Sequence, residues 1–293
     1  MQLLVAPDLR TRFFLCCFLF LLVSSCLVGC GGGSSDSDLR SSIVFVSDRD
    51  GHNQLYVMDE NGDDLIRLTT NSFYDSEPAI SPDGTRIAFV RDGTGDAEIY
   101  VMDSDGENEV NITNNPANDY GPSWSPDGSK IVFFSGRTGI WHVFVMDADG
   151  GNVTQVTTAS DNYYPCWANN SDLIVFTSFR DGYGQLYSIN VDGTGEYRLT
   201  NNSSEDSRPA CSPDDTCIAF IRDGTLWAME EDGSDQHQVL TGSAGFLTWS
   251  PDGSQLAFSR EDHIHKVDSD GTNLTQLTDE VENMQPDWGM LLR

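Results

Sequence analysis

The stretch GPSWSPDGSKIVFF, Gly121–Phe134, returns in altered form along the chain. EPAISPDGTRIAFV (Glu77–Val90) stands 44 residues earlier, and RPACSPDDTCIAFI (Arg208–Ile221) and FLTWSPDGSQLAFS (Phe246–Ser259) follow later. Aligned on the apolar triplet, the copies start at Ile43, Ile87, Ile131, Ile174, Ile218 and Leu256, in steps of 44, 44, 43, 44 and 38. A fixed period of about 40 residues is the mark of a repeat architecture. Each of the six units carries four short strand signals: a PSWS type, an IVFF type, a third run ending at Met58, Met102, Met146, Ile189, Met229 or Val267, and a fourth ending in Leu-Thr or a variant. The runs are apolar at consecutive positions, so both faces of each strand are covered. Four-stranded units covered on both faces are propeller blades. The fold class is therefore all-β, a six-bladed propeller of four-stranded antiparallel blades. QPDWGMLLR (Gln285–Arg293) supplies a first strand without a second, and Ile43–Val46 a second without a first. The two ends share one blade and close the ring, which removes two exposed sheet edges.

The turns agree with this reading. SPDG offers Pro for a fixed φ and Gly for a positive one. The runs DENG, DSDG, DADG, NVDG, EEDG and DSDG follow the third strand in equal register. They look like calcium loops but lack further ligands at fixed spacing, and recurrence in every unit marks them as turns.

The chain has 293 residues, with 46 acidic against 16 basic side chains and a formal net charge of -30. Nucleic acid and anionic membrane surfaces are repelled by such a field. Cations and basic proteins are attracted by it, and solubility alone also explains it.

MQLLVAPDLRTR precedes an apolar run of 16 residues, Phe13–Val28, and then LVGC and GGGSSDSD. The run fits a secretory h-region and is short for a membrane span. LVGC resembles a bacterial lipobox, with Cys30 as the lipidated residue; acyl chains there hold at roughly 0.8 kcal/mol per buried methylene. The expected division is 1–29 signal peptide, 30–42 lipidated cysteine and tether, 43–293 propeller. Gly31, where such lipoproteins use Asp for inner-membrane retention, favours the outer membrane. Cys166, Cys211 and Cys217 remain in the propeller. Three is odd for a disulfide framework. Cys211 and Cys217 flank one turn; a bond between them and two separate thiols are both open.

The phrases IYVMDSDGENEVNIT and NDYGPSWSPDGSKIVF and their copies resemble the TolB-type six-bladed propeller, built of PD-type, WD-like repeats, over Ile43–Arg293. That resemblance implies the fold and says little of function, since such propellers serve binding proteins, peptidase gates and sugar-acid lyases. TolB proper adds an N-terminal α/β domain, where this sequence has a tether, so a Tol-system role is not carried over. Prolyl-peptidase relatives add a hydrolase domain, and this sequence has no Gly-x-Ser-x-Gly elbow.

In this family the PSWS strand is innermost, and small residues such as Ala79, Ser123 and Ala210 fit a crowded axis. The residues just before it should then rim one mouth of the channel. Asp75, Asp119, Asn162, Asp206, Ala244 and Asn283 stand in one register there; Ser76, Tyr120, Tyr163, Ser207, Gly245 and Met284 in the next; Glu77, Gly121, Tyr164, Arg208, Phe246 and Gln285 in the third. The rim varies while the scaffold repeats, and variable loops on a rigid scaffold carry binding. The expected ligand-binding set is Asp75, Glu77, Asp119, Tyr120, Tyr163, Tyr164, Asp206, Arg208 and Asn283. Its carboxylates attract cations, calcium or a basic peptide, and its tyrosines add amphipathic contact area. His265 falls in the register of Tyr56, Tyr100, Phe144, Tyr187 and Trp227, so it reads as packing between blades, and no three-histidine zinc site is legible. Trp124, Trp167, Trp249 and Trp288 read as core.

The sequence thus points to a monomeric, non-catalytic envelope lipoprotein, held to the membrane by its lipid and binding a protein, peptide or small ligand at an acidic channel mouth. No cofactor is required, with calcium the one held open. Two alternatives stand beside it: a propeller enzyme acting on a polyuronide or peptide with paired carboxylates as acid and base, and a structural or assembly factor.

Overall fold

The computed structural model describes residues 39–293 apart from 94, 169–171 and 280–281. The expected signal peptide and the expected lipidation site, Cys30, lie outside the described residues. Six four-stranded antiparallel sheets follow one another, each containing one copy of the repeat. Blades 2 to 6 start with the inner strands Tyr74–Ile80, Asp119–Trp124, Asn162–Trp167, Asp206–Cys211 and Leu247–Trp249. Blade 1 takes its inner strand from the far end of the chain: Asn283–Leu292 pairs with Leu39–Ser47, from Leu39 opposite Leu292 to Ser47 opposite Asn283. The closure is therefore the one expected, but longer. Residues 39–42, assigned to the tether by sequence, join the sheet because the last strand runs on to Leu292 and gives them partners.

The apolar triplets fill the spaces between blades. Phe45, Phe89, Phe133, Phe176, Phe220 and Phe258, one per blade, are all fully buried. A side chain of this kind contributes about 2–3 kcal/mol on burial. Each lies across its hairpin from the third-strand register residue, Tyr56, Tyr100, Phe144, Tyr187, Trp227 and His265. His265 stacks on Phe258 with centroids 5.9 Å apart, as packing requires. Burial pushes its pKa down. The four tryptophans are buried too. Trp124 Nε1 donates to the Ala79 carbonyl at 2.9 Å and Trp249 Nε1 to that of Ala210 at 3.0 Å, which ties each blade to its predecessor.

The turn chemistry is local. In SPDG, Asp83 accepts from the Ser81 and Thr85 hydroxyls at 2.7 and 2.8 Å, and Gly84 sits at φ 69°. The same bonds recur at Asp127, Asp214 and Asp252. In the Asp-x-Asp-Gly turns, Asp59 accepts from the amides of Asn61 and Asp63. These carboxylates complete turns.

Cysteine pairing departs from both alternatives. Cys166 is bonded to Cys211, across neighbouring inner strands, and Cys217 stays outside the bridge. The tight turn between Cys211 and Cys217 points the two side chains apart into an antiparallel hairpin, whereas the inner strands of blades 4 and 5 run side by side at the axis.

Candidate functional site

The inner strands of blades 1 to 5 carry a bulge just before the proline, and blade 6, with Leu247 in place of proline, pairs without one. The register slips between Ser76 and Ala79, Tyr120 and Ser123, Tyr163 and Cys166, and Ser207 and Ala210. At that bulge Glu77, Tyr164, Arg208 and Gln285 take φ of 49 to 52°, and Gly121 takes 62°. A left-handed conformation costs a non-glycine residue about 1–2 kcal/mol. Bulges re-aim side chains and are frequent beside functional sites. Here these four strained residues, Gly121 and Phe246 from blade 6 line one end of the channel. Below them Pro78, Pro122, Pro165, Pro209 and Pro286 form a collar, with Leu247 as its sixth member.

The cavity above the collar has a volume of about 140 Å3. That is room for a few waters or one side chain, well below the ~300 Å3 of an ordinary small-molecule pocket. Its polar groups are mixed in charge. Glu77 accepts from the Gly121 amide at 2.7 Å, and its own amide donates to Gln285 Oε1 at 3.0 Å. Burial pushes Glu77 up to about 7, against the Gly121 hydrogen bond and the Arg208 charge. Asp287 accepts from the Ile80 amide at 2.6 Å and the Thr248 hydroxyl at 3.2 Å, and burial pushes it up to about 6. Arg208 lies between two rings, its guanidinium carbon 4.7 Å from the Tyr164 centroid and 4.2 Å from that of Phe246. Its Nη2 donates to the Tyr164 hydroxyl at 3.3 Å, and its Nε is buried with no hydrogen bond. A guanidinium desolvated between rings gains up to about 2 kcal/mol. Its unused Nε–H is a donor held ready for an acceptor.

Beside this mouth an aromatic band runs outward. Tyr164 is 6.2 Å from Tyr163, which is 5.9 Å from Trp141 and 5.6 Å from Phe179; Tyr120 lies 5.9 Å from Trp141. Tyr163, Tyr164, Phe179, Asp161, Glu205 and Arg208 border a recess of about 480 Å3.

Of the nine residues expected at the mouth, the structure brings Glu77, Tyr164 and Arg208 into the channel cavity and sets Tyr120 and Tyr163 in the band beside it. The other four lie elsewhere. Asp75, Asp119, Asp206 and Asn283 are fully buried, each engaged by an arginine of its own blade. Asp75 is bonded by Arg91, Asp119 by Arg137, Asp206 by Arg222 and Asn283 by Arg49. The physical reason is the bulge: it turns the third register inward and leaves the first facing the blade's own second strand. The mouth is thus less acidic than its sequence. Phe246 and Gln285 were read at the rim but left out of the expected set, and Asp287 was missed. The signal for Asp287 was legible, since its register otherwise holds Ala79, Ser123, Cys166, Ala210 and Thr248.

Beyond the collar the channel opens into a second cavity of about 460 Å3, bordered by the four tryptophans, Met290 and the Cys166–Cys211 bridge. Among the described residues no three His, Cys, Asp or Glu side chains converge as a metal site.

A family model described as the TolB beta propeller domain matches residues 72–178 and 159–292. A protein TolB homolog of Chlorobaculum tepidum is 42% identical over 45 residues, 15% of this chain; the match spans only 10% of that relative's length. TolB from Acinetobacter baumannii superposes with a TM-score of 0.74 at 22% identity, over 86% of this chain and 67% of that one. An oligogalacturonate lyase in complex with manganese superposes with a TM-score of 0.57 at 15% identity, over 80% and 73%. At these identities the likeness to the solved structures is one of fold.

Proposed function

This chain belongs to the TolB beta propeller domain family, and from that premise we propose that it is a non-catalytic protein of the cell envelope that binds a protein or peptide at the bulge-side mouth of its channel. The observation that carries the reading is the convergence of Glu77, Tyr164, Arg208, Phe246, Gln285 and Asp287 on one small cavity. Its volume suits a single side chain or chain end, and the aromatic band beside it gives the rest of a peptide somewhere to lie. Rings of this kind anchor interfaces through large, rigid contact area. Capture from solubilised envelopes tests it: Glu77→Gln with Arg208→Ala should lose a partner that the unaltered propeller retains.

In the same reading residues 1–29 are a signal peptide, Cys30 carries the lipid and the outer membrane is the anchor site. Cys30→Ser should then move the protein from the membrane to the soluble envelope fraction. Retention in the membrane by the substituted protein would exclude the lipid at Cys30.

One observation favours a second reading. Two carboxyls in one cavity, at about 7 and about 6, are suited to acid–base work near neutrality. A cavity of about 140 Å3 holds no sugar chain, however, so a polyuronide would have to react at its rim. Turnover of oligogalacturonate or peptides, lost in Glu77→Gln, would establish an enzyme.

A further inference from the structure

An arginine follows the triplet in every blade, and in blades 1 to 5 it engages the first register. In blades 1, 3 and 4 it stands beyond the second strand, and its Nε donates to Ser47, Ser135 or Ser178 at 2.8–3.0 Å. In blades 2, 5 and 6 it is on the strand, as Arg91, Arg222 and Arg260. Arg91 holds Asp75 through Nε and Nη2 at 2.7 and 2.9 Å, and Arg222 holds Asp206 in the same way at 2.6 and 2.8 Å. Blade 6 has the arginine without the acid, because Ala244 occupies that register.

The result is an unfilled place. Ala244, Ser243, Ser259, Arg260 and Phe246 border a cavity of about 310 Å3 that opens beside the channel mouth. Among the described residues the Arg260 side chain has no hydrogen bond; its nearest acid is Glu261, at 3.8 Å with a side chain 73% exposed. Gly242 lets the guanidinium lie close, since a Cβ there would stand 2.8 Å from Arg260 Nη2. Across the hairpin His263, which pairs with Arg260, keeps a buried Nδ1 without a hydrogen bond.

We propose that this pocket binds a single carboxylate, the free C-terminus or an Asp or Glu side chain of a peptide. The molecule itself shows, in blades 2 and 5, how a guanidinium on this strand takes a carboxylate: bidentately, the strong geometry for that pair. Glu261, Asp262 and Glu282 also border the pocket, and they set its limit. Exposed acids weaken an incoming anion only modestly through water and salt, while a polyanion would meet all three. Arg91 shows that one guanidinium accommodates two carboxylates, since it holds Glu109 at 2.6 Å as well as Asp75. The site is separate from the channel and does not depend on the mouth binding anything.

The test uses protein labelled at arginine with nitrogen-15, reading the Arg260 Nε–H resonance, which is identified by its loss in Arg260→Gln. The probes are N-acetyl-trialanine with a free C-terminus, its C-terminal amide, and an amidated peptide carrying one Asp. The free-carboxylate peptide should move the resonance saturably and the plain amide should not. Response to the amidated Asp peptide as well assigns the site to any carboxylate; response to the C-terminus alone assigns it to chain ends. Ala244→Asp should supply the missing acid from within, shift the resonance without peptide, and weaken peptide binding at least roughly tenfold. No shift with either carboxylate, an equal shift with the plain amide, or undiminished peptide binding in Ala244→Asp overturns the proposal.

Discussion

Arg91 meets Asp75 at two points, Nε to Oδ1 at 2.7 Å and Nη2 to Oδ2 at 2.9 Å, and both are buried. The pair joins the inner strand of blade 2 to its second strand. The same clamp, with Asp or Asn as acceptor, recurs in blades 1, 3, 4 and 5. Its acids therefore hold blades together and leave little charge for a ligand.

Removing Arg91 strands a buried carboxylate. Arg91→Met is expected to cost about 3–5 kcal/mol and lower the melting temperature by on the order of 10 °C. Asp75→Asn should cost only about 1 kcal/mol, because blades 1 and 4 use Asn283 and Asn162 at the same register. Equal losses in the two variants, by thermal unfolding, would remove the clamp from the account.

Glu77 gives the protein a pH dependence of defined sign. Burial raises it from 4.5 in the ordinary state to about 7 in the folded one. Between those values the folded state holds a proton that the unfolded state has lost, so stability falls as pH rises through the window and levels off above about 7. Glu77→Gln should remove that slope. Urea unfolding of both proteins at pH 5, 6, 7 and 8 measures it, and parallel profiles would contradict it.

Arg208 lowers the Glu77 pKa through its charge. Arg208→Ala should therefore push Glu77 higher still, as followed by carbon-13 NMR of its carboxyl group. An unchanged titration would mean that the two groups do not share the cavity electrostatically.

The Cys166–Cys211 bridge spans 45 residues. Loop closure over that length stabilises by up to about 4 kcal/mol. Reduction should lower stability by an amount approaching that value, and peptide mapping of the oxidised protein should recover Cys166 joined to Cys211. A Cys211–Cys217 peptide would contradict the fold at the axis.

The fold was legible because its signals repeat: one triplet, one PDG turn and one split blade, each in register. His265 was read correctly as packing for the same reason. The site was legible only in part. The arginine partners of Asp75 and Asp119 come from different offsets, Arg91 four residues and Arg137 six residues after the first triplet residue, so no single register displays them. The bulge that turns Glu77, Tyr164 and Arg208 inward is a backbone event before proline, a place where left-handed φ is not expected. The disulfide joins different registers of two neighbouring strands, and only the closeness of those strands at the axis brings them together.

Capture with the immobilised propeller, Leu39–Arg293, from detergent-solubilised envelopes decides whether the channel mouth binds a partner. Parallel baits carry Glu77→Gln with Arg208→Ala, and Asp75→Asn alone, each verified as folded. A partner kept by the unaltered and Asp75→Asn baits and lost by the Glu77→Gln, Arg208→Ala bait is the result expected. A partner held equally by all three, or by none, would contradict a binding site at the channel mouth.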